Sequence, residues 1–151
     1  MLERTFIFLK PETVMRGLIG EIVSRIEKKG FLISAAKLHK MEKKEAEELY
    51  MMHKGKAFFD SIVDHVTSGP VVLMVVEGVD VVNQIRKMIG ATDPGKAEPG
   101  TIRADYAQIA KDNVIHASDS QESANRETRI FFLSQELISY EKPTEKKYLL
   151  S

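Results

Sequence analysis

The sequence contains no cysteine. That excludes a disulfide scaffold, a thiolate zinc site and a cysteine nucleophile, and it agrees with a cytoplasmic location. No stretch approaches the ~18 apolar residues of a membrane-spanning helix. The start, Met1-Leu2-Glu3-Arg4 and then a short apolar run ending at Lys10, lacks the basic head, long apolar middle and small-residue exit of a secretion signal. A membrane is therefore not expected as a partner. Neither sign of charge dominates: 22 Lys+Arg against 22 Asp+Glu give a formal net charge of zero. General nucleic-acid binders carry a basic excess and stack bases on exposed aromatics. Neutrality and an aromatic content of 7% argue against nucleic acid as the main partner. An anionic ligand would need particular Lys and Arg side chains. Also missing are internal repeats, low-complexity linkers and the closely spaced His/acid pattern of a metalloenzyme.

What is present fits one globular domain, residues 1–151, with 43% hydrophobic and 29% charged residues. Thr5 to Leu9 is apolar at both parities and reads as a strand buried on both faces. Pro11 stops it. Leu18, Ile19, Ile22, Val23 and Ile26 recur at helical spacing, and Gly30 is placed to end that helix. Phe31 to Leu38 reads as a second strand. A polar-rich helix is predicted over 43–53. Another is predicted over 57–67, with Phe58, Ile62 and Val66 at i, i+4 and i+8. Val71 to Val76 is a third, central strand. Val79, Val82, Ile85 and Ile89 mark the next helix. Residues 90–113, punctuated by Gly and Pro, read as a long functional loop with short helical pieces. Val114-Ile115-His116 resumes an extended character, and a helix begins near Asp119 or Ser120. With the inserted helices between 43 and 67 set aside, the order is β-α-β-β-α-β. That predicts an α+β, ferredoxin-like fold: a four-stranded antiparallel sheet with helices mainly on one face.

Two segments invite a chemical reading. Gly90 to Ala97 nearly spells a phosphate-binding P-loop. However, Ala97 stands where a magnesium-holding hydroxyl is required, and the segment follows a helix rather than a strand. The informative segment is Asn113-Val114-Ile115-His116-Ala117-Ser118-Asp119-Ser120. A histidine ends an apolar run beside a polar helix start, where backbone N–H groups favour anions. Ser118 to Gln121 and Asp119 to Glu122 both have capping-box spacing. Neutral imidazole is a competent nucleophile. Glu127, on the following helix, can fold back to orient one ring nitrogen and leave the other free to attack. Taken alone, such a histidine is more often a core residue paired with a carboxylate.

Neighbouring segments add context. Thr5 to Glu12, Arg16 to Ile22, His65 through Ser68-Gly69-Pro70-Val71-Val72, Pro99 to Arg103, and Asn113 to Ser120 with Ser123-Ala124 run in one order. Together they resemble the nucleoside diphosphate kinase family, collinearly from about residue 3 to residue 140. The resemblance implies transfer of the γ-phosphate of a nucleoside triphosphate to a nucleoside diphosphate by a ping-pong route through a phosphohistidine. It makes His116 the nucleophile through Nδ1, with Glu127 on the other nitrogen and Ser118 supporting that contact. Lys10 matches the lysine that reaches the phosphates and the ribose 3′-hydroxyl, and Asn113 the asparagine at the same hydroxyl. Tyr50 matches the tyrosine near the transferring phosphate. Arg86, Thr92 and Arg103 match phosphate-holding residues, and Phe58 the aromatic under the base. Residues 90–113 then become a nucleotide-site loop.

Chemistry explains these types. Cations offset charge on a transferring phosphoryl group, and Arg clamps phosphate oxygens bidentately where Lys cannot. Mg2+ would bridge the nucleotide's own phosphates, so no direct protein ligand for it is assigned. A stacked base without edge contacts implies low base selectivity. The family forms homo-oligomers, hexamers or tetramers, and the tail Lys142 to Ser151 is placed against a neighbouring subunit. His39, His53 and His65 are read as structural, and Met51-Met52 as packing.

The sequence also departs from the family pattern. Glu12 replaces an Asp, Thr13-Val14 a small pair, and Ala117 a Gly. Ala110-Lys111-Asp112 replaces Val-Gly-basic. These changes are expected to weaken nucleotide binding. The alternative is a catalytically silent nucleotide-binding or protein-interaction module of the same fold.

Overall fold

The computed structural model of the chain describes residues 2–149. Four strands, β1 (Leu2–Leu9), β2 (Leu32–Lys40), β3 (Pro70–Val79) and β4 (Ile115–Ala117), form one sheet in the order β2-β3-β1-β4. Every neighbouring pair is antiparallel, with Phe8 opposite both Leu73 and His116. This is the ferredoxin-like order expected from the sequence.

Helices cover both faces of the sheet, not mainly one. On one face, α2 (Ile19–Lys28) and α5 (Val81–Ile89) lay Ile22, Ile26, Val81 and Ile85 against Ile7, Leu9, Met74 and Val76. On the other, α3 (Lys43–Leu49), α4 (Phe59–Val66) and α7 (Gln121–Phe131) bring Ala46, Leu49, Phe59, Val63 and Phe131 onto Phe6, Phe8, Leu73 and Val75. The inserted helices are thus the second layer. This is why the central strands are apolar at both parities. Each large side chain so buried contributes about 1.5–3 kcal/mol of transfer free energy.

Several boundaries differ from those the sequence suggests. Pro11 does not merely stop β1; it opens a short helix, α1 (Pro11–Met15), at the first helical position, where its missing N–H costs nothing. Gly30, at φ +99°, ends α2 as expected. The polar helix breaks at Tyr50 and continues as a 3-10 turn over Met51–His53. The buried side of α4 is Phe59, Val63 and Val66, so Phe58 is left 45% exposed at the helix entrance. Val79 closes β3 rather than opening α5, with Asp80 in left-handed backbone between them. Ser120 caps α7, accepting from the Ser123 amide, so neither expected capping box forms. Ser118 cannot serve there because its hydroxyl is engaged inward.

Residues 90–113 contain a 3-10 turn at Pro94–Lys96 and α6 (Ile102–Tyr106). Gly90 to Ala97 leaves a helix and makes no P-loop. The tail includes α8 (Pro143–Leu149); its last two residues lie outside the described residues. Among the described residues no helix is long and apolar enough to cross a membrane.

Candidate active site

β4 places His116 next to Phe8 of β1, as cross-strand partners on the same face. The imidazole stacks on the Phe8 ring at 5.0 Å between centroids. Tyr50, delivered by the break after α3, meets it edge-on at 5.9 Å. Two aromatic neighbours therefore hold the ring plane. From α7, Glu127 lies 3% exposed, with Oε1 2.7 Å from His116 Nε2. The same oxygen accepts from Ser118 Oγ at 2.9 Å. A carboxylate only accepts, so Nε2 carries the proton and Nδ1 keeps its lone pair. Ser118 is itself buried and lies beneath Glu127 rather than in the cleft.

The backbone entering β4 is held from the start of the chain. Val114 adopts φ 68°, a left-handed conformation that a β-branched residue tolerates only when its surroundings enforce it. Its carbonyl accepts from the Lys10 amide at 2.9 Å and from Thr13 Oγ1 at 2.6 Å. Its amide donates to Glu12 Oε2 at 3.2 Å. Glu12 and Thr13, both departures from the family pattern, are thus used. Ala117 is a third departure, and it has no left-handed backbone; among the described residues only Asp80 and Val114 do so without being glycine. The missing glycine there, and at Lys111, imposes no backbone strain.

Around His116 opens a cleft of about 360 Å³. Lys10, Tyr50, Arg86, Thr92, Arg103, Asn113 and Glu127 line it with His116. Lys10 Nζ donates to Asn113 Oδ1 at 2.7 Å, and Asn113 Nδ2 to the Thr92 carbonyl at 3.0 Å. Burial pulls the Lys10 ammonium down to about 8, against the opposing pull of Glu12. Arg103 is 8% exposed and donates to the carbonyls of Asn113, Gly90 and Ile115. Burial, then the charge of Arg86, lowers its guanidinium to about 10. Arg103 therefore ties the loop to β4, and its two remaining N–H groups can face a ligand. Arg86 bonds the Ala117 carbonyl at 3.3 Å from the exposed side of α5. Burial, and then the charges of Glu127 and Glu12, push the Tyr50 phenol above its ordinary range.

Phe58 stands apart from this group. It does not line the cleft; its ring tilts against His53, 5.1 Å away, at the outer edge. Sequence reasoning did not place several other residues at the cleft, three of them titratable. His53 and His65 line the cleft, as does Asp119, whose carboxylate a Ser123 hydrogen bond and nearby Arg86 hold below its usual range. Asp119 stands within the histidine segment itself, and His65 opens the segment that runs into Ser68-Gly69-Pro70.

A cleft with one lysine, two arginines and a pinned imidazole is suited to taking a phosphoryl group from a polyphosphate. Its donor set suits a cation arriving on the nucleotide rather than one caged by the protein. Fold and site define a phosphotransferase acting on nucleotides.

The family model described as Nucleoside diphosphate kinase matches residues 3–137. The nucleoside diphosphate kinase of Saccharolobus solfataricus is 58% identical over 135 residues, 89% of this chain and 98% of that protein. That of Sulfurisphaera tokodaii is 54% identical over 138 residues, 91% of this chain and 94% of that protein. Among solved structures, a halophilic nucleoside diphosphate kinase from Halobacterium salinarum in complex with CDP superposes with a TM-score of 0.94 at 42% identity, covering 97% of this chain and 98% of that one. The Aquifex aeolicus nucleoside diphosphate kinase gives 0.88 at 38% identity, covering 91% of this chain and 100% of that one. The chain belongs to the nucleoside diphosphate kinase family, and its activity is phosphotransfer between nucleoside triphosphates and diphosphates. Enzymes of this family use a divalent cation.

Proposed function

We propose that His116 carries the phosphoryl group in this reaction. In the first half, the Nδ1 lone pair attacks the γ-phosphorus of a nucleoside triphosphate. A P–N bond forms, the bond to the β–γ bridging oxygen breaks, and the diphosphate leaves with that oxygen. In the second half, the terminal oxygen of an acceptor diphosphate attacks the same phosphorus, and Nδ1 departs with its electron pair. The observation that carries this reading is the 2.7 Å contact between Nε2 and Glu127. It fixes the tautomer and offsets the positive charge that the ring gains on phosphorylation. Ser118 holds Glu127 in place.

Lys10, Arg86 and Arg103 bind the phosphates and neutralise the charge spread over the transferring group, and Thr92 adds a hydroxyl. Tyr50 lies by the transferring phosphate. Lys10 and Asn113 hold the ribose 3′-hydroxyl. Phe58 stacks on the base from the rim, which implies low base selectivity. Mg2+ is the divalent cation, bound through the nucleotide's phosphates and water. The halobacterial relative was solved in complex with CDP, which supports a nucleoside diphosphate as a ligand of this chain. The chain acts as one domain over residues 1–151, in the cytoplasm, as a hexamer or tetramer. The apolar side chains left exposed, Leu38 at 68% on edge strand β2 and Tyr148 at 68% in the tail, support assembly.

The test is brief incubation with γ-labelled ATP and Mg2+, on the wild type and on His116→Ala. Acid-labile, alkali-stable label on the wild type alone, discharged by GDP as GTP, is the expected result. Nucleotide binding with no labelling would overturn it in favour of a silent module.

A further inference from the structure

His65, which lines the cleft, meets two carboxylates that do not, and the transfer chemistry uses none of the three. His65, on α4, has Nε2 2.9 Å from Glu12 Oε1 and Nδ1 3.7 Å from Asp112 Oδ1. Glu12 belongs to α1, directly after Lys10 and Pro11. Asp112 belongs to the loop between α6 and β4 and is followed by Asn113, whose amide joins Lys10 to Thr92. We propose that His65 is a positioning residue: it bridges Glu12 to Asp112, holds the 107–114 loop in its nucleotide-binding form, and lets go of the loop as pH rises. The proposal rests on the nucleotide reading above only for its effect on affinity.

A carboxylate accepts only, so Glu12, within hydrogen-bond distance of Nε2, takes the proton on that nitrogen. Asp112, 3.7 Å from Nδ1 and partly exposed, is held by charge. The imidazolium therefore attracts both carboxylates; the neutral ring has one proton and no charge. Glu12 lies closer and also receives the Val114 amide, so the neutral ring keeps Glu12 and releases Asp112. The Glu12 carboxyl fits this order: burial would raise it, yet the His65 hydrogen bond and charge hold it below its usual range. Release acts through the loop: the segment that brings Lys111 and Asn113 to the cleft loses its tether. The other charged group at this edge is Lys10, coupled to both Glu12 and Asp112. On α4 itself the adjacent residue is Asp64, which is exposed.

The three residues could also be read as a cation site, since one ligand atom from each lies within 4.8 Å of the others. The contacts favour the bridge, because the carboxylates approach opposite ring nitrogens at their closest.

The test uses the full chain, 15N-labelled, over roughly pH 5.5 to 8.5, where histidine titrates. Amides of residues 111–113 are expected to shift with the midpoint of the His65 ring. Asp112→Asn is expected to lower that midpoint, and His65→Gln to abolish the amide shifts. In parallel, the Kd for ADP is measured by calorimetry. Between the ends of that range it is expected to rise about two- to fivefold more in the wild type than in His65→Gln, the size of a half-exposed ion pair. The terminal phosphate of ADP titrates in the same range but acts on both proteins alike. Identical pH dependence of Kd and of the amides in both proteins would overturn the bridge. So would stoichiometric Zn2+ capturing the His65 ring, which would make the cluster a metal site. Coupled amide shifts in a protein that binds no ADP would keep the bridge and remove the kinase reading instead.

Discussion

Glu127 Oε1 lies 2.7 Å from Nε2 of His116. In the proposed reaction, an acid placed there decides which nitrogen attacks. In Glu127→Gln the side chain can offer an N–H to Nε2, which would move the ring proton to Nδ1 and remove the nucleophile. The phosphorylation rate, measured by rapid quench, is expected to fall about 10²- to 10⁴-fold, the range for losing an acid–base or orienting partner. The midpoint of thermal unfolding should move far less than the rate.

Lys10 sets an alkaline limit. Burial lowers its ammonium to about 8, so the free enzyme loses this cation as pH rises past that value. kcat/KM reports groups of the free enzyme and is expected to decline above pH ~8, while kcat holds to higher pH because bound phosphates favour the charged form. Lys10→Met should be slower throughout and lack this limb. His65→Gln should keep it, which separates the two effects. The sign for stability is opposite to that for binding. Between about 8 and the unfolded value of 10.5 the unfolded chain binds the extra proton, so this group's contribution to stability rises with pH across that window.

Arg103 has a structural task as well as a chemical one. A lysine keeps the charge but cannot reach the carbonyls of Gly90, Asn113 and Ile115 together. Arg103→Lys is expected to lose about 2–4 kcal/mol of stability, by denaturant titration, through unpaired buried carbonyls. Its activity should not recover at saturating nucleotide.

Ala117→Gly restores the residue usual in the family. Because this position needs no left-handed backbone, the change should cost about 0.5–1 kcal/mol through added chain freedom. No gain in transfer rate is expected. A faster enzyme would mean that the position demands freedom during the reaction.

Much of this was legible in the sequence because the signals were local. The apolar runs at 5–9 and 71–76 mark strands covered on both sides, and the segment around His116 marks a histidine at a strand exit beside a helix start. The second helical layer was harder to see: the amphipathic segments between 43 and 67 say that a face is buried, not which side of the sheet buries it. The slip at α4 is one residue, from Phe58 to Phe59, because both aromatics fit a helical stripe and only packing chooses between them. Ser118 resembles a cap, but a neighbouring serine took the cap and left Ser118 to Glu127. The His65 bridge was invisible, since Glu12, His65 and Asp112 lie in three distant stretches of chain.

The strained carbonyl of Val114 is satisfied by Lys10 and Thr13, about a hundred residues earlier. As the chain leaves the ribosome, residues 10–13 emerge about a hundred residues ahead of the carbonyl they hold. Contacts of such long separation form late and slowly. Competence for transfer therefore waits for the C-terminal part of the chain, which supplies Val114, His116 and Glu127 together.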